Sequence, residues 1–396
     1  MLPEPVSVTL ALGQAPYQRN LPSSLLTAGM LRRMLDLGPC PEVWDARDGS
    51  LVLVKRFPSV AFANRMAWAI WRRLPQRIRP QPPVAIGAWA LDRRLSNWIT
   101  PSSIFHGHAG LCLESLRTAH QKGILTLVEN AACHPRHWKQ AAIEECRLFG
   151  VDSQGSANFS VWLLRRMDQE FKWCDRIVVP SSVARESFAG FGYAEKAVVV
   201  PTGVDAEFFS PTTQGEPLPL FRVCYVGRVE LDKGVGRLLQ VWRRLGLAHA
   251  ELVLVGQVYP EIEAMLRANA DASVRVVGFL PPDEVARCYR QSSLLVLPSA
   301  NEGLAQVLLE SMASGITVVA TDMSGANECI TDGTEGLIVP ARDNDALAEA
   351  ILWCYRHRDE IHRMGRAARD RIESEFTLNH YNQRIIALYR KLVHSH

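Results

Sequence analysis

Four charged residues carry the chemistry legible in this sequence. Glu302 and Glu310 stand with seven residues between them in SANEGLAQVLLESMASGITVVATD (299–322), and Arg228 and Lys233 lie in VGRVELDKGVG (226–236). An ionised carboxylate only accepts hydrogen bonds, so it can hold a pair of vicinal hydroxyls such as a ribose offers. Two cations at one sheet edge can neutralise a diphosphate and the charge that develops on it as it leaves. The spacing predicts a helix from near Leu304 that stops before Gly315, a residue suited to a left-handed C-terminal cap. The first amides, near Gly303 and Leu304, then carry the positive end of the helix dipole and offer a phosphate site, with Gly303 letting the backbone come close to the ligand. Glu310 falls roughly 9 Å further along that helix. The set fits a molecule with sugar, diphosphate and ribose in series, Glu302 on the first and Glu310 on the last. Plainer readings stand beside this one. A Glu near a helix start favours the dipole, a mid-helix Glu is commonly a solvated face, and an Arg and a Lys before a helix are commonly surface bases. The loop is neither a phosphate-binding Gly-x4-Gly-Lys-Ser/Thr loop nor a Gly-x-Gly-x2-Gly dinucleotide fingerprint.

These residues need a scaffold, and the apolar pattern supplies one. In the second half FRVCYVG, AELVLVG, SVRVVGF, SLLVLPS and ITVVATD read as short β runs, the first four each followed by a helical stretch of about ten residues and the last by a loop. That alternation predicts a parallel sheet covered on both faces, a doubly wound α/β domain. In the first half VSVTLAL, SLVLVKRF, SIFHGH, ILTLVE and RIVVPS read as strands, and SSLLTAGMLRRMLDLG (23–38) as one amphipathic helix. FFSPTTQGEPLPLF (208–221) reads as a linker. The boundary is placed near 215, giving a Rossmann-like domain over 1–215 and another over 216–375 that face each other across a cleft. The helical pattern over 376–393 ends in a basic stretch.

Composition narrows the class. The chain has 396 residues, room for two domains, and a formal charge of +3, which argues against a dedicated nucleic-acid binder. Nine scattered cysteines without a CxxC pair or a zinc-ligand cluster point to reduced thiols and a cytoplasmic setting. The N-terminal stretch lacks a signal-peptide pattern, and no run reaches the length of a membrane span. Charge is uneven: between 51 and 100 nine bases face one acid, Asp92. Within it ANRMAWAIWRRLPQRIRP (63–80) mixes tryptophans with arginines, a composition suited to an anionic membrane surface or to a cross-over helix packed on the sheet.

Together GRVELDKG, VGFLPPDEV, LPSANEGLAQVLLESMASG and SGANECITDGTEGLIVPARD resemble glycosyltransferase family 4, the retaining transferases of the GT-B fold, over about residues 175 to 390. The resemblance implies two Rossmann-like domains, with the C-terminal helix (376–396) crossing back onto the first. It implies a nucleoside-diphosphate sugar donor, UDP- or GDP-linked, and a glycan or lipid-linked acceptor in polysaccharide or glycolipid synthesis. By it Arg228 and Lys233 contact the diphosphate and Glu302 the transferred hexose. Gly303, Leu304 and Ala305 meet phosphate and sugar, Glu310 takes the ribose, and the backbone of Gly278, Phe279 and Leu280 meets the base. Family members need no metal, and no Asp-x-Asp motif occurs in the cleft loops; no cofactor is expected.

The acceptor side departs from the family pattern. Where the family has a glycine pair after the first strand, ALGQAPYQRNLPSS holds only Gly13, with Arg19 as an electrostatic substitute or a surface base. Where many members have a histidine after ILTLVEN, this chain has Glu129, with His134 five residues on. Of the pair in FHGHAG, His106 is expected in the core and His108 in the cleft. Two alternatives share the architecture: a nucleotide-sugar 2-epimerase, and a nucleotide-sugar-binding relative without turnover.

Overall fold

The computed structural model describes residues 6–11, 16–18, 20–35, 53–55, 84–152, 161–211 and 220–395. Seven parallel strands form the first sheet: β1 Val8–Ala11, β2 Leu31–Leu35, β3 Leu53–Lys55, β4 Ile104–His108, β5 Leu125–Glu129, β6 Arg176–Val179 and β7 Ala197–Val199, in the order β3-β2-β1-β4-β5-β6-β7. Six parallel strands form the second: β8 Phe221–Val226, β9 Ala250–Val255, β10 Val274–Gly278, β11 Leu294–Leu297, β12 Thr317–Thr321 and β13 Gly336–Val339, in the order β10-β9-β8-β11-β12-β13. Both orders reverse beside their first strand, at β1/β4 and at β8/β11. Crevices at such switch points are where open α/β sheets bind ligands. The central strands β5, β11 and β12 are buried throughout, as strands covered on both faces require.

The stretch 23–38 is not one helix. Leu21–Thr27 is helical, Gly29 turns at φ +67°, and β2 follows, tied to β1 by Val8 N–H donating to the Met30 carbonyl at 2.8 Å. A left-handed glycine ends a helix more effectively than the apolar spacing beyond it extends one. The short strands β7 and β13 had no clear alternation in sequence. The edge strand β10 leaves Val276 and Val277 exposed.

The helix Leu378–His394 starts at a capping box built by Thr377 and His380. Its Leu378, Tyr381, Ile385, Leu388 and Tyr389 fall on one helical face and share a core with Val8, Leu10, Leu21, Leu25 and Leu127 of the first domain. It therefore does cross back. The boundary near 215 lies in 212–219, outside the described residues, as do Gly13, Arg19 and the basic segment 63–80.

The domains meet along the helix Pro135–Leu148. Its Glu145, fully buried, pairs with Arg237 at 3.1 Å and Arg342 at 2.5 Å from the second domain. Ser181 Oγ–H donates to the Gly303 carbonyl at 2.6 Å, and Gln306 Nε2–H to Thr202 Oγ1 at 2.7 Å.

Candidate active site

At the β8/β11 switch point the strand ends deliver two loops to one cavity of about 280 Å3. β8 runs into Gly227 and Arg228; β11 runs into Asn301 and Glu302. The helix Val235–Leu245 is capped by Gly234 at φ +73°, where a Cβ would lie 1.9 Å from the Pro298 carbonyl oxygen, so only glycine lets these two loops close on each other. That closure brings Lys233 to Glu302, Nζ to Oε1 2.6 Å. Arg228 pairs with Glu230 at 2.8 Å and approaches Asp232 at 4.0 Å.

The charges are mutually dependent. Lys233 is 7% exposed. Burial works against its ammonium, but Glu302 and Asp232 outweigh it and hold the pKa above the ordinary lysine value. Burial likewise opposes the Arg228 guanidinium, and Glu230 and Asp232 raise it. Burial together with the neighbouring Asp232 pushes Glu230 up to about 8. Two cations among three acids thus sit in a partly desolvated pocket, where electrostatic interactions act more strongly than in water.

Trp138 closes the cavity from the first domain and was not singled out by sequence, because nothing in a helix marks the face that reaches a partner domain. Its ring lies 5.0 Å from Arg228 and 5.4 Å from the Lys233 ammonium, and its indole N–H donates to Asp232 at 2.8 Å. Ala132 and Cys133 line the same wall, and Cys133 Sγ–H donates to the Glu302 carbonyl at 3.1 Å.

The helix on the opposite wall is Gln306–Ala313, two residues later than expected, with Ala305 as N-cap. Among the described residues, the amides of Gly303, Leu304, Gln306 and Val307 find no acceptor, so the positive helix end does face the loops. Gly303 has a reason of its own for being glycine: its Cβ would lie 2.6 Å from the Ala131 carbonyl oxygen and 2.9 Å from Pro180, both in the first domain. Ala305 lines the cavity with Gln306 and Val307, and Leu304 is buried beneath them. Glu310 follows one turn on, on the face of Gln306 and Val307. Tyr289 O–H donates to it at 3.0 Å, and burial pushes its carboxyl up to about 7. Gly278 turns at φ +82° at the end of β10, and Phe279 beyond it is 80% exposed; Leu280 is half-buried. None of these three lines the cavity.

Of the acceptor-side residues that are described, none lines this cavity. Glu129 is buried beneath the turn Pro16–Gln18, accepting from Tyr381 O–H at 2.9 Å and from Gln18, with His106 Nε2 at 3.5 Å. Burial pushes Glu129 up to about 7. His106 is wholly buried against Tyr389, at 2.6 Å. His134 is enclosed by Phe171, Phe188 and Phe191, the last stacked on it at 3.8 Å, and burial lowers it to about 4. Both Glu129 and His134 are therefore packed into the first domain and not turned to the cavity. His108, half-buried with Nδ1 3.2 Å from the Ala109 carbonyl, is not among the lining residues either. Among the described residues no three His, Cys, Asp or Glu side chains converge as metal ligands.

Two parallel Rossmann-like sheets with a cleft between their strand ends, and a last helix returned to the first, define a GT-B protein. The chain belongs to glycosyltransferase family 4: residues 46–208 match the Glycosyltransferase Family 4 model and residues 221–357 that of glycosyl transferases group 1. It is similar to the amylovoran biosynthesis glycosyltransferase AmsK of Erwinia amylovora, 31% identical over half of each chain. This chain therefore spans about half the length of that relative. In fold it is similar to sucrose-phosphate synthase from Thermosynechococcus elongatus (TM-score 0.70, 19% identity, 98% of this chain and 100% of that one). It is also similar to Anabaena HepE in complex with UDP-glucose (TM-score 0.63, 15% identity, 97% and 99%).

Proposed function

We propose that the chain is a retaining, metal-independent glycosyltransferase that moves a hexose from a nucleoside-diphosphate sugar to a glycan or lipid-linked acceptor in bacterial polysaccharide or glycolipid synthesis. The observation that carries this reading is the Arg228–Lys233–Glu302 cluster lining one cavity with Gln306 and Val307, whose amides, like those of Gly303 and Leu304, are unpaired. Arg228, Lys233 and those amides hold the diphosphate, Glu302 the hexose and Glu310 the ribose; the backbone of Gly278–Leu280 lies on the base side. The UDP-glucose held by HepE supports a uridine donor.

In the reaction an acceptor O–H attacks the anomeric carbon on the face that the diphosphate vacates. The carbon–phosphate-oxygen bond breaks, and the leaving diphosphate takes the acceptor's proton, so no protein base is needed. Arg228 and Lys233 stabilise the departing charge, an electrostatic role in a preorganised site. To reach it they must exchange the carboxylates they now hold for phosphate oxygens, and Trp138 must move aside. Among the described residues no helix is long and apolar enough to cross a membrane. A cytoplasmic enzyme, peripheral to the membrane's inner face, is the setting proposed.

Calorimetric titration with UDP, GDP, ADP and their sugar conjugates in EDTA tests this. Micromolar binding of one nucleotide, weakened by Glu310→Ala, is the expected result. A folded protein that binds none of them refutes it.

A further inference from the structure

A second cavity, of about 400 Å3, opens beside the first. His137 and Gln140 bound it on one side, Glu186, Gly190 and Phe191 on another, and Met323 of the second domain completes it. The two cavities share a wall. Along one helix and the turn before it, Cys133 and Trp138 face the first cavity while His137 and Gln140 face the second. Across from them the Met323 carbonyl accepts from the Glu302 amide at 2.8 Å, so a pocket residue and a cluster residue are joined directly.

The linings differ in chemistry. The first is ionic. The second has no lysine or arginine among its lining residues, and Arg342, whose charge reaches His137, is held by Glu145. One imidazole, one amide and one carboxylate line it, besides the Ser187 hydroxyl, which is already held by the Ala184 carbonyl and the His134 amide; these are too many polar groups for a lipid tail and too few ligands for a metal. Burial lowers His137, with Arg342 adding to the effect, which keeps the imidazole neutral and able both to donate and to accept. The remaining feature is a plate: Phe191, backed by His134 in parallel stack at 3.8 Å, has its orientation fixed from behind. An apolar plate ringed by hydrogen-bond donors and acceptors, the Glu186 carboxylate among them, complements a molecule whose face is C–H and whose rim is O–H. The volume is that of a small-ligand pocket.

We propose that this cavity is an acceptor subsite that takes a neutral hexose ring of a glycan, its face on Phe191 and its hydroxyls on His137, Gln140 and Glu186. The proposal rests on the first cavity being the donor site.

Saturation-transfer NMR tests it, using methyl α-D-glucopyranoside, methyl α-D-mannopyranoside and methyl β-D-galactopyranoside with the protein saturated in UDP. At least one glycoside should receive saturation at its ring protons. Gly190→Phe should abolish that signal: Gly190 lines the cavity, is not in the left-handed region, and a Cβ there meets nothing within 4 Å, so the backbone tolerates a side chain that sets a ring at the cavity wall. Phe191→Ala should also abolish it, though this variant removes packing from His134. Arg228→Ala should keep the glycoside signal while losing UDP. No glycoside signal, or one unchanged in Gly190→Phe, overturns the subsite. UDP binding without glycoside binding removes this proposal alone; a wild-type protein that binds glycoside in a Gly190-sensitive way but no UDP removes the donor reading instead.

Discussion

Replacing Lys233 by alanine separates its structural from its functional role. Its ammonium is 2.6 Å from Glu302 and 3.9 Å from Asp232, with side-chain exposures of 9%, 22% and 7%. Removing one partner of a buried ion pair costs about 3–5 kcal/mol, and the exposure of Glu302 places this site near the lower figure, about 3 kcal/mol. For a domain of this size that is a fall in Tm of about 6–12 °C. Binding should suffer separately. Loss of one hydrogen bond to a charged group, about 1.5–3 kcal/mol, weakens nucleotide affinity by about 10- to 150-fold. The double variant Lys233→Ala/Glu302→Ala removes the stranded carboxylate, so it should recover most of the Tm but none of the affinity. Scanning fluorimetry reads the first quantity and calorimetry with UDP the second. If Lys233→Ala binds UDP within about threefold of wild type, the diphosphate does not lie on this lysine. If single and double variants melt together, the ion pair contributes nothing to the fold.

Glu310 should make donor binding pH-dependent. Its carboxyl ionises near 7, and only the carboxylate accepts two hydroxyls, so UDP affinity should fall up to about tenfold per pH unit below 7; Glu310→Gln should flatten that profile. The same group affects stability with the opposite of the usual acid trend. Between about 4.5 and 7 the folded chain keeps a proton that the unfolded chain releases, so stability declines as pH rises through that window. Glu310→Gln should therefore be the more stable protein at pH 8, by up to about 3 kcal/mol, and not at pH 4. Tyr381→Phe should cost about 1–3 kcal/mol by leaving Glu129 short of a donor, read as a lower Tm that recovers below pH 7, where Glu129 takes up a proton. UDP should change the protein's tryptophan fluorescence, and Trp138→Phe should remove that change; equal changes in both proteins would mean that the donor does not move this ring.

What could be read beforehand divides by range. The strands β5, β6, β8, β9, β11 and β12 announce themselves because a strand covered on both faces is a local apolar run. Arg228, Lys233 and Glu302 were legible because two strand ends at one switch point must lie together. The stretch 23–38 misled because the apolar spacing runs on past Gly29; the left-handed turn there and the pairing with β1 decide. Glu129 and His134 were placed by analogy of position, and what turns them inward, Tyr381 and Phe191, lies far along the chain. The closeness of Gly303 to Ala131 and Pro180, which by itself requires glycine, could not be read from its neighbours in sequence. Each miss is a contact that no window of neighbouring residues contains.

The returning helix has a consequence for synthesis. Tyr389 closes the core around His106 from 283 residues further along, and at 5–20 residues per second a ribosome needs about 14 to 57 s to cover that distance. Throughout that interval the apolar faces of Leu10, Leu21 and Leu25 have emerged without their cover, while β8 to β13 and the helices between them are translated as one contiguous block. The second domain can therefore complete itself before the first, reversing the order in which they leave the ribosome. A nascent chain halted before Leu378 would carry a finished second domain and an open hydrophobic face, the kind of surface that chaperones bind.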